Sequence, residues 1–328
     1  MGAHLRANVM LLVLTVVLCC VIYPAILWVI GQTVFPDQAA GSLIYKADGK
    51  TPVGSRLIGQ PFSDDRYFWP RPSSAGYDAS ASGGSNLAAS NPKLRGRIAQ
   101  QLGPIVRYRN GKQVGDDVEA WYQEKAKRGS DRDLTAEWVN EFPTLVKVWA
   151  ASSDQVKAYI KDWAEKHPEV MAAWKAKNAD ATSPPEAADL APFFFDSYLK
   201  VHPRTWPCVV DVEVQGKKEK QVKPDTKGSD VQSTFFDMWL REHPKEATEI
   251  DPVPADMVMS SGSGLDPHIT LRNAEYQAPR VAKAREGKLT LEQIKALASK
   301  MSFRPLGGIA GDEPLVNVLE LNLALDAQ

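Results

Sequence analysis

The chain has 328 residues, of which 44% are hydrophobic and 24% charged, a composition typical of a folded protein and not of a disordered one. Its 39 lysines and arginines nearly balance its 40 aspartates and glutamates, so the charge gives no reason to expect a nucleic-acid partner. Because Cys19 and Cys20 lie in the apolar N-terminal stretch, Cys208 is alone in the remainder, which excludes an intramolecular disulfide and a cysteine zinc site there.

The first predicted element is a membrane-spanning helix over residues 9–30, a stretch without a charged side chain. At about 1.5 Å per residue it reaches about 33 Å, enough for a hydrocarbon core of roughly 30 Å. A cleaved signal peptide is the alternative, but its apolar part is usually only about 7–15 residues long, so we favour an uncleaved anchor. Arg6 precedes the span and the next basic residue is Lys46, which predicts a cytoplasmic segment 1–8 and an extracytoplasmic remainder.

Beyond the span, residues 41–92 are rich in Gly, Ser, Pro and aromatic residues. This composition predicts short strands and ordered loops. Asn91 as N-cap and Pro92 at the first helical position then open a helix that we expect to reach Arg107.

The middle of the chain, residues 108–250, contains internal repeats. The pattern W-V-x-x-F-P at Trp138 recurs as W-A-x-x-H-P at Trp163, and F-F-D-x-Y-L-K-x-H-P at Phe194 recurs as F-F-D-x-W-L-R-x-H-P at Phe235. We interpret each copy as an amphipathic helix that ends at His-Pro or Phe-Pro, because proline cannot continue a helix.

Seven of the nine tryptophans lie in this middle segment, which indicates a folded helical module with an aromatic core. Residues 178–191 are interpreted as its internal linker and residues 216–227 as an exposed charged loop. His167, His202 and His243 each precede a proline at a predicted helix end, a place that favours a structural role over metal binding.

After residue 251 the loop-rich composition returns. Asp266 is expected to cap a helix that follows Pro267, and a helix over residues 271–285 is expected to be limited by Pro279. A capping box at Thr290 opens another helix. The alternation of apolar and polar residues over 316–325 predicts a half-buried strand with a bulge.

Seven segments of the chain form a collinear set of motifs: IYP at 22–24, GSRLIGQ at 54–60, YFWPRPS at 67–73, ASGGSNL at 81–87, SGSGLDPHI at 261–269, PRVAKAR at 279–285 and NVLELNLAL at 317–325. In this order they resemble one family, the C subunit of the bacterial Kdp potassium-transporting ATPase (KdpC). We therefore expect an α+β protein with one transmembrane helix and an extracytoplasmic domain formed by residues 31–107 and 251–328. An inserted, mostly helical module of residues 108–250 interrupts that domain.

The resemblance implies a non-catalytic assembly and regulatory subunit, single-pass in the cell membrane, with no cofactor of its own. Its implied partners are a channel-like potassium-binding subunit, a P-type ATPase subunit and a small single-span peptide, so ATP and potassium ions belong to the complex. The family has also been described as a catalytic chaperone that raises the ATP affinity of the ATPase subunit. With only residues 1–8 in the cytoplasm, such an effect would have to be indirect.

Candidate partner-interface or functional-loop residues lie in the resembling segments. They are Tyr67, Arg71, Ser82, Gly83, Gly84, Ser85, Asn86, Ser263, Gly264, Asp266, His268 and Arg280. The loop 82–86 lacks the lysine and spacing of a phosphate-binding loop, and the loop 260–264 lacks the first glycine of a nucleophile elbow. We therefore predict tight turns here and assign no catalytic or metal-binding residue.

A rival function is a membrane-anchored extracytoplasmic enzyme whose activity lies in residues 108–250. Against it, that segment offers no nucleophile, base and orienting group at recognisable spacing. A further alternative makes the segment a docking module for another envelope protein.

Overall fold

The computed structural model describes residues 2–46, 49–127, 131–214, 217–309 and 311–328. Contacts between residues divide the chain into two units. The outer unit consists of Met1–Ser85 and Pro254–Gln328, and the middle unit is the continuous segment Asn86–Val253. Helices and short strands both occur, which confirms the predicted mixture of α and β structure.

One long apolar helix opens the chain. It consists of α1 (Gly2–Val16), a π-helical segment (Val17–Ile22) and α2 (Tyr23–Val34). The π-helical segment ends just before Pro24, whose ring and missing N–H disturb the regular hydrogen-bond ladder. The most apolar 18 residues within His4–Val34 have a mean hydropathy of 2.8, and none of these residues is buried within the chain. Its length and composition suggest a membrane anchor, as the sequence predicted.

The next part of the outer unit has little regular structure. Helix α3 (Pro36–Ala39) leads into an antiparallel hairpin of β1 (Leu43–Tyr45) and β2 (Pro52–Ser55). From there to the end of this part the chain forms turns and loops, as the abundance of glycine, serine and proline predicted.

The middle unit is a set of helices with one β-hairpin. Its helices are α4 (Pro92–Leu102), α5 (Val114–Ala126), α6 (Leu134–Glu141), α7 (Pro143–Ala150), α8 (Asp154–Lys166), α9 (Pro168–Lys177), α10 (Ala187–Val201), α11 (Ser229–Glu242) and α12 (Pro244–Ala247). Its antiparallel strands are β3 (Trp206–Val214) and β4 (Lys217–Asp225).

The repeated X-Pro junctions end helices where the sequence predicted. Phe142, His167, His202 and His243 are the C-terminal caps of α6, α8, α10 and α11, each with φ near −120°. Proline disfavours the helical conformation for the residue before it, so the chain bends at that residue. A new helix starts at the proline in three of the four cases, because proline suits the first helical position.

The seven tryptophans of the middle unit are at most 9% exposed, which confirms the prediction of an aromatic core. Trp206, which opens β3, is fully buried. Burial of aromatic side chains on this scale is the main stabilising contribution available to a helical module of this size.

Three details of the middle unit differ from the prediction. Residues 217–225 were expected within a charged loop but form β4. In this strand Val222 pairs with Val209 and Lys220 with Asp211. The many charged residues made the segment resemble a loop in the sequence. Helix α10 begins at Ala187, inside the expected linker. Helix α4 ends at Leu102 and not at Arg107, because a glycine and a proline follow it directly.

The C-terminal part of the outer unit contains β5 (His268–Thr270), α13 (Leu271–Ala284), α14 (Leu291–Met301), β6 (Leu315–Asn317) and α15 (Val318–Asp326). Strands β5 and β6 pair antiparallel, and Ile269 lies opposite Val316 in the core. Phe68, from the first part of the unit, is fully buried in the same core. The two distant parts of the sequence therefore share one hydrophobic centre.

The predicted strand over residues 316–325 was wrong beyond its first two residues. Asn317 ends β6, and its side-chain oxygen accepts a hydrogen bond from the Glu320 N–H at 3.2 Å, which caps a helix instead. Val318, Leu321 and Leu325 are buried at helical spacing, a period that the apparent alternation concealed.

Helix α13 confirms the predicted helix over residues 271–285, but the expectation that Pro279 limits it was wrong, because the helix continues through Pro279 to Ala284. The carbonyl that loses its partner to the proline belongs to Glu275, an exposed residue where water can satisfy it.

Candidate functional site

Two buried side-chain amides hold the segment that leads to the candidate loops. The Asn322 side chain of α15 accepts from the Phe68 N–H at 2.8 Å and donates to the Phe68 carbonyl at 3.0 Å. The Gln277 side chain of α13 does the same for Trp69, at 2.8 and 3.0 Å. Each amide thus supplies the pair of hydrogen bonds that a neighbouring strand would give. We call this arrangement the amide clamp.

Sequence reasoning missed both residues of the amide clamp. Asn322 could have been found as a polar residue on the buried face of α15, but only if residues 318–326 had been predicted to form a helix. Gln277 lies likewise on the buried face of α13.

Tyr67 and Arg280, both predicted candidates, lie next to the amide clamp. The Tyr67 hydroxyl donates to the Asp326 carboxylate at 2.9 Å, and the Arg280 guanidinium donates to the Tyr67 carbonyl at 3.0 Å. The guanidinium carbon also lies 3.8 Å from the centroid of the Trp69 ring, a close cation–π contact. Burial lowers the pKa of Arg280 to about 10, so the side chain remains cationic at neutral pH. Both candidates are therefore engaged within the chain.

The two glycine- and serine-rich loops lie against each other. The Gly83 N–H donates to the Ser263 carbonyl at 2.8 Å, and the Ser82 hydroxyl donates to the same oxygen at 3.1 Å. Gly264 has φ +69°, and a Cβ on it would lie 2.8 Å from the Gly83 oxygen. A Cβ on Gly84 would lie 3.0 Å from a carbonyl oxygen of the facing loop. The glycines let the two backbones approach, as expected for tight loops bonded internally.

Asp266 joins Arg71 and His268 in a small polar cluster beside these loops. The Arg71 Nη1 atom lies 3.1 Å from Asp266 Oδ2, and the His268 N–H donates to Asp266 Oδ1 at 3.0 Å. Burial raises the pKa of the Asp266 carboxyl, but the hydrogen bonds from His268 and the charge of Arg71 more than offset it, so the pKa lies below its ordinary value of 3.8.

The prediction that Asp266 caps a helix was wrong. The side chain turns back to the N–H two residues further on, and β5 follows. The cap of α13 is Thr270, whose hydroxyl oxygen accepts from the Asn273 N–H at 3.1 Å.

Replacing Asp266 by asparagine is expected to lower the free energy of unfolding of the outer unit by roughly 1 kcal/mol at neutral pH, because a charged acceptor is lost. Since the folded-state pKa is lowered, the stabilisation exists above the unfolded value of 3.8 and disappears as the pH falls through the folded value. Urea unfolding at neutral pH and at about pH 3 would measure both differences. The exposed Asp312→Asn variant is the control, and an equal loss in both variants would contradict the assignment.

The remaining candidates lie at the boundary between the units. Ser85 is the last residue of the first part of the outer unit, and Asn86 is the first residue of the middle unit. Asn86 has φ +50°, a left-handed conformation that asparagine tolerates better than most residues. The structure therefore groups the candidates into two clusters in the outer unit and this boundary pair.

Across the described residues, no group of three or more His, Cys, Asp or Glu side chains is placed to hold a metal ion. The histidines before prolines contact the helices that they end. The His167 ring stacks on Trp163 with centroids 4.2 Å apart, and the His243 ring stacks on Trp239 at 4.8 Å. These contacts fit the predicted structural role at helix ends.

Comparison with known proteins gives one consistent family. The model of the KdpC family, described as K+-transporting ATPase, c chain, matches residues 5–167 and 201–327. The potassium-transporting ATPase KdpC subunit of Geobacter sulfurreducens is 28% identical over 326 residues, covering 98% of this chain and 97% of that protein. The KdpC subunit of Methylococcus capsulatus is 28% identical over 327 residues, covering 99% and 97%.

The extent of these matches bears on the middle of the chain. The family match includes residues 108–167 and 201–250, which the motif resemblance did not cover. The KdpC subunit of Geobacter metallireducens is 33% identical over 165 residues, and this match takes up 85% of that protein but 49% of this chain. That relative is therefore much shorter than this chain.

Proposed function

The chain belongs to the KdpC family, the c chains of K+-transporting ATPases, and on that premise we propose that it is a non-catalytic assembly and regulatory subunit of a potassium-import complex. The family membership carries this proposal and confirms the resemblance in the motifs. The geometry supports it, because Tyr67, Arg71, Asp266 and Arg280 bind other groups of the same unit. Side chains engaged in this way build a defined surface for partners and leave no free nucleophile paired with a base among them.

The proposed partners are a P-type ATPase subunit, a channel-like potassium-binding subunit and a small single-span peptide. The relatives' names speak of a potassium-transporting ATPase, and we extend that activity to the complex that contains this chain. ATP and potassium ions are then ligands of the other subunits, and this chain carries no cofactor of its own.

The proposed topology puts residues 1–8 in the cytoplasm, residues 9–30 in the membrane and residues 31–328 on the other side. It is supported by Arg6 before the apolar helix and by the lack of basic residues between that helix and Lys46. In this topology the chain raises the ATP affinity of the ATPase subunit indirectly, by favouring one conformation of the complex.

Residues 108–250 are, in this proposal, a helical module inserted into a shorter family fold. The KdpC subunit of Geobacter metallireducens supports this proposal, because a match to 49% of this chain takes up 85% of that protein. The separate contacts of Asn86–Val253 and its own aromatic core fit the same view.

The direct test is purification of the native complex. A C-terminal tag, solubilisation of native membranes in mild detergent and mass spectrometry should recover a P-type ATPase chain and a multi-span chain in near-equal amounts with this one. Recovery of this chain alone, or with unrelated envelope proteins, would overturn the proposal and favour an anchored enzyme or docking protein with its activity in residues 108–250.

A further inference from the structure

A turn near the C-terminus exposes two large apolar side chains. We call residues 304–309 the apolar turn; it contains the short 3-10 helix Pro305–Gly308. Leu306 is 76% exposed and Ile309 is 90% exposed. Among the described residues outside the N-terminal apolar helix, no other large hydrophobic side chain is as exposed. Such exposure in a folded unit indicates a surface that another molecule covers.

The base of the apolar turn is anchored to the core of the outer unit. The Phe303 N–H donates to the Leu315 carbonyl at 2.9 Å, and the Leu315 N–H donates to the Phe303 carbonyl at 2.8 Å. Leu315 belongs to β6, which pairs on its other side with β5. The turn therefore projects from a fixed base and does not hang on a free loop.

The turn itself has a defined conformation that is unfavourable for its central leucine. The Gly307 N–H donates to the Arg304 carbonyl at 3.1 Å, and the Ile309 N–H donates to the Leu306 carbonyl at 3.3 Å. Leu306 has φ +48°, in the left-handed region that glycine adopts most easily. Two glycines follow directly, yet a leucine occupies this position. A bulky residue kept in a strained, exposed position points to a use for its side chain.

The charges beside the turn indicate the kind of partner. Asp312 and Glu313 are exposed, and neither forms an ion pair within the part of the chain that the structure describes. Within the segment 304–313 they outnumber the single cation, Arg304. Anionic lipid headgroups would repel these carboxylates, whereas a protein pocket with lysine or arginine at its rim would attract them.

We propose that the apolar turn inserts Leu306 and Ile309 into an apolar pocket with a basic rim on another subunit of the potassium-transporting complex. This inference rests on the proposed function, which supplies the partner. The two side chains act as the buried anchors of the interface, and the carboxylates lie at its polar edge.

The test uses the full, tagged chain in native membranes. The double variant Leu306→Ser with Ile309→Ser should reduce the amount of partner subunits recovered per tagged chain roughly tenfold, as loss of central apolar anchors does. The matched control is Val148→Ser with Val201→Ser, which changes two exposed valines of the middle unit and should leave recovery unchanged. The thermal midpoints of both variants should equal that of the wild type, because the changed side chains are exposed.

A photo-crosslink identifies the occupant. With Ile309→p-benzoylphenylalanine, irradiation of membranes should give an adduct with a subunit of the complex, located by mass spectrometry at an apolar site with nearby basic residues. An adduct only with lipid or with a second copy of this chain would overturn the inference. If the wild type recovers the complex and the double variant does so equally, the inference fails while the proposed function stands. If the wild type recovers no such subunits, both fail.

Discussion

Replacing Trp206 by alanine is expected to lower the free energy of unfolding of the middle unit by about 4 kcal/mol, the range seen when a large buried aromatic side chain is removed from a core. Trp206 is fully buried and lies at the centre of the aromatic cluster. Four aromatic rings have their centroids within 5.5 Å of its ring: those of Trp138, Trp149, Phe195 and Phe235. Because these rings come from α6, α7, α10 and α11, a cavity here loosens several helices at once.

The Trp206→Phe variant should lose much less. The buried Nε1 atom of Trp206 has no hydrogen-bond partner within the described ranges, and a buried unsatisfied N–H costs about 1–3 kcal/mol. Phenylalanine removes that group along with part of the ring, so the two effects offset and we expect a net change of about 1 kcal/mol. The matched control is Trp163→Phe, because the Trp163 Nε1–H donates to the Ser197 hydroxyl at 3.2 Å. That variant leaves a buried hydroxyl without its donor and should cost about 1 kcal/mol more than Trp206→Phe.

Urea unfolding of the detergent-solubilised chain, followed by far-ultraviolet circular dichroism, measures these differences, with the transitions of the two units analysed separately. A Trp206→Ala variant no less stable than Trp206→Phe would show that Trp206 is not the centre of the core. A Trp163→Phe variant more stable than Trp206→Phe would contradict the account of the unpaired N–H.

The middle unit was the part of the fold that sequence reasoning predicted best, because its signals are local. A proline after Phe142, His167 or His243 ends one helix and starts the next whatever the rest of the chain does. The β-hairpin was missed because its pairing depends on tertiary contacts. The strand of residues 217–225 begins with four consecutive charged residues, a composition typical of a loop, and the pairing of Lys220 with Asp211 exists only in the folded hairpin.

The sequence predicted the tight turns of the candidate site but not the contacts that hold them in place. The sequence suggested that Gly83, Gly84 and Gly264 form tight turns, and the structure shows their loops backbone to backbone. Nothing in the sequence places residue 68 beside residue 322, since the two lie at opposite ends of the chain. A strand assignment for residues 316–325 also put Asn322 on a polar, exposed face, which concealed a buried amide.

Replacing Asn322 by leucine should test that missed feature, with an expected loss of about 3 kcal/mol in the free energy of unfolding of the outer unit. Leucine has a similar volume but cannot bond the Phe68 N–H and carbonyl, which are buried and would each lose their partner at about 1–3 kcal/mol. The control Asn140→Leu makes the same change at an exposed position of α6 and should stay within about 0.5 kcal/mol of the wild type.

The same variant connects stability to assembly, because the amide clamp holds the segment that continues to Arg71 and the paired loops. If the proposed function is correct, Asn322→Leu should also lower the recovery of partner subunits, with the loss relieved at lower temperature where the outer unit is folded again. The stability measurement is urea unfolding, with the tagged purification repeated at two temperatures. An Asn322→Leu chain as stable as the wild type would mean that the Phe68 backbone groups find other partners, and the clamp would then not be what positions the loops. If the Asn322→Leu chain is destabilised but its partner subunits are still recovered in full, stability and assembly are independent. Assembly would then depend on surfaces such as the apolar turn and not on the amide clamp.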